Sequence, residues 1–303
     1  MSIFAQLDMQ LSQYMLNNTA YNPAFVGDGD LIQMTGQQRV QWVGVPDAGQ
    51  TTLFGLNSPI KLSDHTFGLG LFFLNDKVGL FTQQNAQLQF AYKKKIKTSV
   101  LSFGLNVGFA SVGFLGTKVN SKELNNLGEY HKLSDDPLIP KGDVVGLSLD
   151  LGVGLLYSCP TYYAGLSYAH LNRPKIIWET SEITLPGNVY ITGGYNYTLS
   201  DPKYVLKPTA LVKSDLKSFQ IDLSTRVEYD NKYWGGLSYR YQDAVVFLAG
   251  INLNGGLSMG YAYDFPISQM IRVSSGSHEI LLNYAFEYAS NKRNSRYKSI
   301  RIL

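Results

Sequence analysis

Large apolar residues alternate with small or polar ones along most of this chain, with a period of two. Between positions 101 and 110 the two alternating sets are Leu101, Phe103, Leu105, Val107 and Phe109 against Ser102, Gly104, Asn106, Gly108 and Ala110. Because successive side chains of a strand point to opposite faces, the pattern predicts a β-strand with one apolar face. The same pattern recurs along the chain, so the sequence predicts an all-β fold.

Turn residues divide the chain into about fourteen predicted strands, an even number that is typical of bacterial outer-membrane barrels. Charged residues fall almost without exception on the polar face of each strand. The strands are expected near residues 31–41, 50–59, 66–74, 79–92, 98–110, 144–157, 161–169, 188–198, 204–213, 218–229, 232–241, 244–252, 256–265 and 278–288.

The connections between these strands alternate in length. The even-numbered connections are short, whereas the odd-numbered ones include every long loop, at 111–143, 170–187 and 266–277. A soluble sandwich has no reason to place all its long loops at one end. The sequence therefore predicts a transmembrane antiparallel β-barrel in the outer membrane of a Gram-negative bacterium, surrounded by lipid, with short periplasmic turns and long extracellular loops.

Composition supports an outer surface that is not all in contact with water. The chain of 303 residues is 45% hydrophobic and 16% charged, against about 25% charged residues in a typical soluble domain. No apolar run is long enough for a membrane-spanning helix. The net charge of +3 is too small to indicate nucleic-acid binding, and the single cysteine, Cys159, excludes a disulfide framework.

Four segments follow from these patterns. Residues 1–5 resemble the remnant of a secretory signal, and the Asn- and Gln-rich stretch 6–30 is expected to plug the lumen from the periplasmic side or to contact a partner there. The barrel itself is expected at 31–288, and a basic C-terminal tail at 289–303.

Charged residues on the polar face are expected to point into the lumen. Because both signs occur, we favour a closed lumen held by salt bridges, with the polar lining of a channel as the alternative. The predicted lumen-facing charges are Arg39, Asp150, Asp222, Arg226, Glu228, Arg240, Asp264, Glu279 and Glu287.

The loop 170–187 contains an apolar group, Ile176, Ile177 and Trp178, in polar surroundings. An exposed apolar patch often marks an interaction site, but the tryptophan could equally pack down on the barrel mouth as a lid. The four histidines have no metal-binding spacing, and no nucleophile motif is present, so we expect no metal, no cofactor and no catalytic residue.

Short motifs in a fixed order resemble the PorP/SprF family of outer-membrane proteins, which is associated with type IX secretion and gliding motility. Ala262 stands where a serine is expected, which changes little. The matching segments are Gln13-Tyr14-Met15, Tyr21-Asn22-Pro23-Ala24-Phe25-Val26-Gly27, Arg39-Val40-Gln41-Trp42-Val43-Gly44, Asn75-Asp76-Lys77-Val78-Gly79, Gly235-Gly236-Leu237-Ser238-Tyr239-Arg240, Gly260-Tyr261-Ala262-Tyr263-Asp264 and Gly276-Ser277-His278-Glu279-Ile280.

The resemblance implies a non-enzymatic barrel that binds the C-terminal domain of a secreted cargo or adhesin, or periplasmic components such as ring proteins or peptidoglycan-binding lipoproteins. It suggests Tyr14, Asn22 and Pro23 as contacts on the periplasmic side. The contacts expected outside, Ile176, Ile177 and Trp178, follow from the apolar group in the loop 170–187. The alternative is a passive channel for a small solute or hydrophobic ligand.

Overall fold

The computed structural model describes residues 8–119, 140, 142–178 and 181–287. The predicted signal remnant at 1–5, the basic tail at 289–303 and most of the predicted loop 111–143 lie outside the described residues. None of the helices in the described ranges is long and apolar enough to cross a membrane.

Seventeen strands make up almost all the regular structure of the described chain. They are β1 (Ile32–Val40), β2 (Gln50–Leu62), β3 (His65–Val78), β4 (Phe81–Ile96), β5 (Ser99–Leu115), β6 (Asp143–Ser158), β7 (Tyr162–Ala169), β8 (Lys175–Ile177), β9 (Glu182–Thr184), β10 (Asn188–Tyr195), β11 (Tyr197–Thr198), β12 (Tyr204–Ser214), β13 (Phe219–Tyr229), β14 (Tyr233–Arg240), β15 (Ala244–Asn252), β16 (Leu257–Pro266) and β17 (Ser277–Phe286). A short helix, α1, spans Gly116–Val119.

Fourteen of these strands close into one antiparallel barrel, which confirms the predicted fold. Each pairs with its neighbour along the chain, β10 pairs with β12, and β1 pairs with β17 to close the cylinder. The short β11 extends the β12 pairing, and β8 and β9 form a separate hairpin within the loop 170–187 that the sequence pattern did not predict.

Turns of a few residues connect the strands at one end, hereafter the short-turn end. At one of them Asp230 and Asn231 have φ angles of 52° and 53°, the left-handed conformation that tight hairpins favour. The opposite end, the long-loop end, carries the three long connections. In outer-membrane barrels short turns face the periplasm and long loops face outward.

The apolar faces of the strands point away from the barrel axis. In β13, Phe219 and Leu223 are 63% and 53% exposed, whereas Gln220 and Asp222 between them are buried. A water-soluble protein would place these residues the other way round. The exterior is therefore suited to lipid and the interior to polar contacts.

Residues 8–30 are hereafter called the plug: residues 8–27 are buried or half-buried inside the barrel, and residues 28–30, which lead into β1, are exposed. Three 3-10 turns shape them, at Tyr14–Leu16, Asn18–Ala20 and Pro23–Phe25. The plug leads into β1 at the short-turn end, and its first described residue, Asp8, accepts a hydrogen bond from Tyr190 near the start of β10 at the long-loop end. The segment thus runs the length of the lumen.

Glycines in the wall make room for the plug backbone. A Cβ on Gly68 would overlap the carbonyl of Val26, and one on Gly104 would overlap the backbone of Pro23 and Ala24. Close backbone approach of this kind tolerates no side chain. The wall and the plug are therefore complementary at the level of the main chain.

This complementarity predicts that Gly104→Ala displaces the plug and lowers the free energy of unfolding by about 1–3 kcal/mol, the usual cost of overpacking. Urea titration of the detergent-solubilised barrel measures the change. Gly55→Ala is the matched control, because Gly55 also faces the lumen but has its nearest Cβ contact at 4.0 Å. Equal loss of stability in both variants would contradict the prediction.

Candidate functional site

A group of paired charges lies buried in the half of the lumen nearest the long loops. Five residues form it, hereafter the anchor cluster: Arg39, Asp222, Arg240, Asp264 and Glu279. The Nη2 atom of Arg39 lies 2.8 Å from Oδ2 of Asp264, and the Nη1 atom of Arg240 lies 2.8 Å from the same oxygen. Because β1, β13, β14, β16 and β17 each supply one member, the cluster ties five strands together.

Each arginine also bonds a second carboxylate. The Nε atom of Arg240 donates to Asp222 at 2.9 Å, and Nη1 of Arg39 lies 3.4 Å from Glu279. An unpaired buried charge would cost several kcal/mol, and pairing of this kind offsets that cost. The cluster is therefore stable only with all its members in place.

Ser12 connects the plug to the centre of this cluster. Its hydroxyl accepts from Nη1 of Arg39 at 2.7 Å and from Nη2 of Arg240 at 2.9 Å, and it donates to the Asp264 carboxylate at 2.7 Å. A hydroxyl has one donor and two acceptor sites, so every hydrogen-bonding site of Ser12 is used.

Glu279 holds the plug backbone beside Ser12. Its two carboxylate oxygens accept from the main-chain nitrogens of Ser12 and Gln13 at 2.7 and 2.8 Å. The Gln37 side chain donates to the same carboxylate at 2.7 Å and accepts from Asn17 at 3.0 Å. Hydrogen bonds to a carboxylate are about twice as strong as neutral ones, so Glu279 is a firm attachment for the plug backbone.

Most of the charges expected in the lumen are buried there. Glu287 differs, because it follows the end of β17 and is exposed. The buried members are Arg39, Asp150, Asp222, Arg226, Glu228, Arg240, Asp264 and Glu279.

Asp150 forms a separate pair with His170, the residue that follows β7. Nδ1 of His170 lies 2.9 Å from one carboxylate oxygen, and Gln87 donates to the other at 2.9 Å. Burial acts to lower the pKa of His170, but the hydrogen bond and charge of Asp150 outweigh it and raise the pKa above its ordinary value. The pair fastens the beginning of the loop 170–187 to the wall.

Tyr14, Asn22 and Pro23, expected to contact a periplasmic partner, are buried inside the barrel. Tyr14 donates to the backbone of Asp222 at 3.3 Å, and Asn22 donates to the carbonyl of Leu155 at 3.1 Å. These side chains bind the wall, because the turns of the plug direct them outward against it. The structure leaves them no surface for a partner.

Ile176 and Trp178 are also buried, and they cover the inside of the wall at the barrel mouth. The indole nitrogen donates to the carbonyl of Val112 at 3.0 Å, and the ring lies 5.9 Å from that of Phe114. Of the apolar group in this loop, Ile177 is the exposed member, at 69%. Trp178 therefore packs down on the barrel mouth as a lid.

Sequence patterns did not single out Ser12, Gln13 or Gln37. Gln13 begins one of the family motifs, and Gln37 falls on the lumen face of β1 by alternation, so both carried a weak signal. Nothing in the local sequence indicates that Ser12 meets residues more than 200 positions away, Asp264 and Arg240. Only the closed barrel brings them together.

β6 rises above its neighbour at the long-loop end. Its pairing with β7 begins at Val153, so residues 143–152 extend beyond that strand. The Asn172 side chain bonds the carbonyl of Leu149 and the nitrogen of Leu151 on this edge. Because backbone groups alternate in direction along a strand, the N–H and C=O groups of Val145 and Leu147 also point to this edge. No described residue forms hydrogen bonds with them on this edge.

Comparison with solved structures finds other barrels at low identity. The toluene transporter TbuX of Ralstonia pickettii has a TM-score of 0.53 at 11% identity, covering 88% of this chain and 92% of that one. The toluene transporter TodX of Pseudomonas putida has a TM-score of 0.51 at 11% identity, covering 93% and 95%. Such likeness concerns the fold alone.

Comparison with curated proteins gives no match. The family model for the type IX secretion system membrane protein PorP/SprF matches residues 3–284. The match covers the plug, the anchor cluster and nearly the whole barrel, and together with the barrel fold it places the protein in the outer membrane. The chain belongs to the PorP/SprF family of type IX secretion membrane proteins.

Proposed function

We propose that this barrel is a closed, non-enzymatic anchor of the type IX secretion machinery that binds the C-terminal domain of an exported protein at its long-loop end. The observation that carries the proposal is the plug, which is held in the lumen by Ser12 and the anchor cluster. A barrel whose interior is filled in this way acts through its surfaces.

The filled lumen argues against the alternative of a passive channel. Two cavities lined by described residues lie at opposite ends of the barrel, one of about 320 Å³ beside Trp234 and one of about 300 Å³ beside Trp42. The plug lies between these two positions. The toluene transporters share the barrel architecture, and that likeness extends to the fold alone.

The upper edge of β6 is suited to binding an extended segment of a partner. Backbone groups of an unpaired strand edge can pair with a strand supplied by another protein. Val145 and Leu147 on this strand are 74% and 63% exposed, and Ile177, whose backbone lies against Gly146, is 69% exposed. Together these residues offer main-chain pairing and apolar contact at the end expected to face outward.

A partner in the periplasm, such as a ring component or a peptidoglycan-binding lipoprotein, would meet the short-turn end instead. Tyr14, Asn22 and Pro23 do not reach that surface. We therefore assign binding of exported cargo or adhesin, including any role in gliding motility, to the long-loop end.

The closed lumen predicts that the purified barrel gives no stable conductance in planar lipid bilayers. Ser12→Ala leaves donors of Arg39 and Arg240 unsatisfied, at a cost of about 1–3 kcal/mol. We expect this variant to release the plug part of the time and to show intermittent conductance.

Ser275→Ala is the control for the conductance measurement, because Ser275 is an exposed serine at the same end. It should stay as silent as the parent protein. A large, steady conductance of the parent barrel would refute the closed-anchor proposal and favour the channel.

The edge of β6 predicts that Val145→Lys and Ile177→Lys reduce copurification of exported proteins from detergent-solubilised envelopes. A lysine on a strand edge opposes pairing and removes apolar contact. Mass spectrometry of the captured proteins measures the loss, which we expect to be at least about tenfold for a change of 1.4 kcal/mol.

Leu216→Lys is the matched control, since Leu216 is 68% exposed on another connection at the long-loop end. It should leave copurification unchanged, and all three variants should still migrate as folded barrels on unheated gels. If Val145→Lys and Ile177→Lys both capture exported proteins as well as the parent does, this surface is not the docking site.

A further inference from the structure

A cavity of about 320 Å³ opens at the short-turn end of the lumen, between the plug and the wall. Lys207, Asn252 and Ser258 form its half-buried rim, and Leu16 of the plug and Leu281 of β17 form apolar walls. Its volume lies at the lower limit of small-molecule sites, about 300–1,000 Å³. The cavity is thus large enough for a small organic molecule.

Arg226 lies in this cavity with 7% of its surface exposed. The other buried arginines and lysines of the described chain, Arg39, Lys93, Lys213 and Arg240, all have hydrogen-bond partners. The Arg226 guanidinium has none among the described residues, and its Nε atom is a buried donor without an acceptor. An unpaired buried charge is costly, so it calls for an explanation.

The surroundings hold this guanidinium in one place. It lies over the indole of Trp234, 5.2 Å from the ring centroid, a cation–π contact. The ring in turn lies against Gly250 and Gly260, where any Cβ would overlap it or crowd it. Three neighbouring strands, β14, β15 and β16, therefore form a flat support for Arg226.

The remaining charges of the cavity compensate the charge of Arg226 only in part, through the nearby carboxylate of Glu228. Lys207 and Glu228 pair with each other at 2.7 Å, and Glu228 makes no ion pair or hydrogen bond with Arg226. The lining residues therefore carry a net charge of +1, from two cations and one anion. A ligand with one negative charge would neutralise the cavity.

We propose that this cavity binds a small organic carboxylate, with Arg226 as the residue that recognises the carboxylate. A planar guanidinium bonds a carboxylate through two parallel hydrogen bonds. The apolar walls from Leu16 and Leu281 accommodate a short aromatic or aliphatic group on the same ligand. This site lies at the opposite end of the lumen from the cargo-binding surface and does not depend on it.

Benzoate is the probe for the test, with benzamide as its neutral counterpart and inorganic phosphate as an anion without an apolar part. Calorimetric titration of the full-length barrel in detergent should show saturable binding of benzoate and much weaker binding of the other two. Arg226→Met should weaken benzoate binding by about ten- to a hundredfold, the effect of losing a charge-assisted hydrogen bond.

Arg272→Met is the matched control, because Arg272 is exposed at the long-loop end, and it should bind benzoate like the parent. Absence of benzoate binding to the parent, equal binding by Arg226→Met, or preference for phosphate would each overturn the proposal.

Urea unfolding separates recognition from a packing role of Arg226. If the residue serves a ligand, Arg226→Met without benzoate should unfold at the same or a higher urea concentration than the parent, since an unpaired buried charge has been removed. Benzoate should raise the midpoint of the parent alone. A lower midpoint of Arg226→Met, with no effect of benzoate on either protein, would show that Arg226 only packs against Trp234.

Discussion

The contact between Ser12 and the buried carboxylates and arginines of the wall is the interaction on which the rest of this structure depends. Arg39 and Arg240 share Asp264, and the Ser12 hydroxyl joins all three. Charges buried in this way are tolerable only when paired and hydrogen-bonded. The plug supplies some of those hydrogen bonds, so the wall holds the plug and the plug in turn stabilises the buried charges of the wall.

This mutual dependence explains how a lipid-facing barrel acquires a closed, ordered interior. The apolar faces of the strands point outward to lipid, so they do not form a hydrophobic core inside the barrel. The interior is packed instead by residues 8–27 of the plug. With the lumen filled, we place the proposed interactions at the two ends of the described barrel, one at the raised edge of β6 and the other at the cavity beside Trp234.

The barrel could be predicted from sequence because its signals are local. Alternation fixes which residues of β13 face out, and tight turns such as Asp230–Asn231 fix the hairpins. The site could be predicted only in part. The alternation of polar and apolar residues indicated the charges of the anchor cluster, but not that Ser12 would form hydrogen bonds with them. Glu287 follows the alternation yet is exposed, since β17 ends at Phe286. Trp178 packs as a lid because its ring contacts Phe114 at the barrel mouth. No local sequence pattern indicates this contact.

Hydrogen exchange at the amides of Ser12 and Gln13 tests the central claim most directly. Both amides donate to Glu279 in a buried position, so in the native barrel they should exchange as slowly as amides in the middle of β17. Glu279→Ala should bring their exchange near the rate of an unprotected chain while the barrel strands stay protected. Rapid exchange of these amides in the unaltered protein would contradict the account, because the plug would then not be held by the wall.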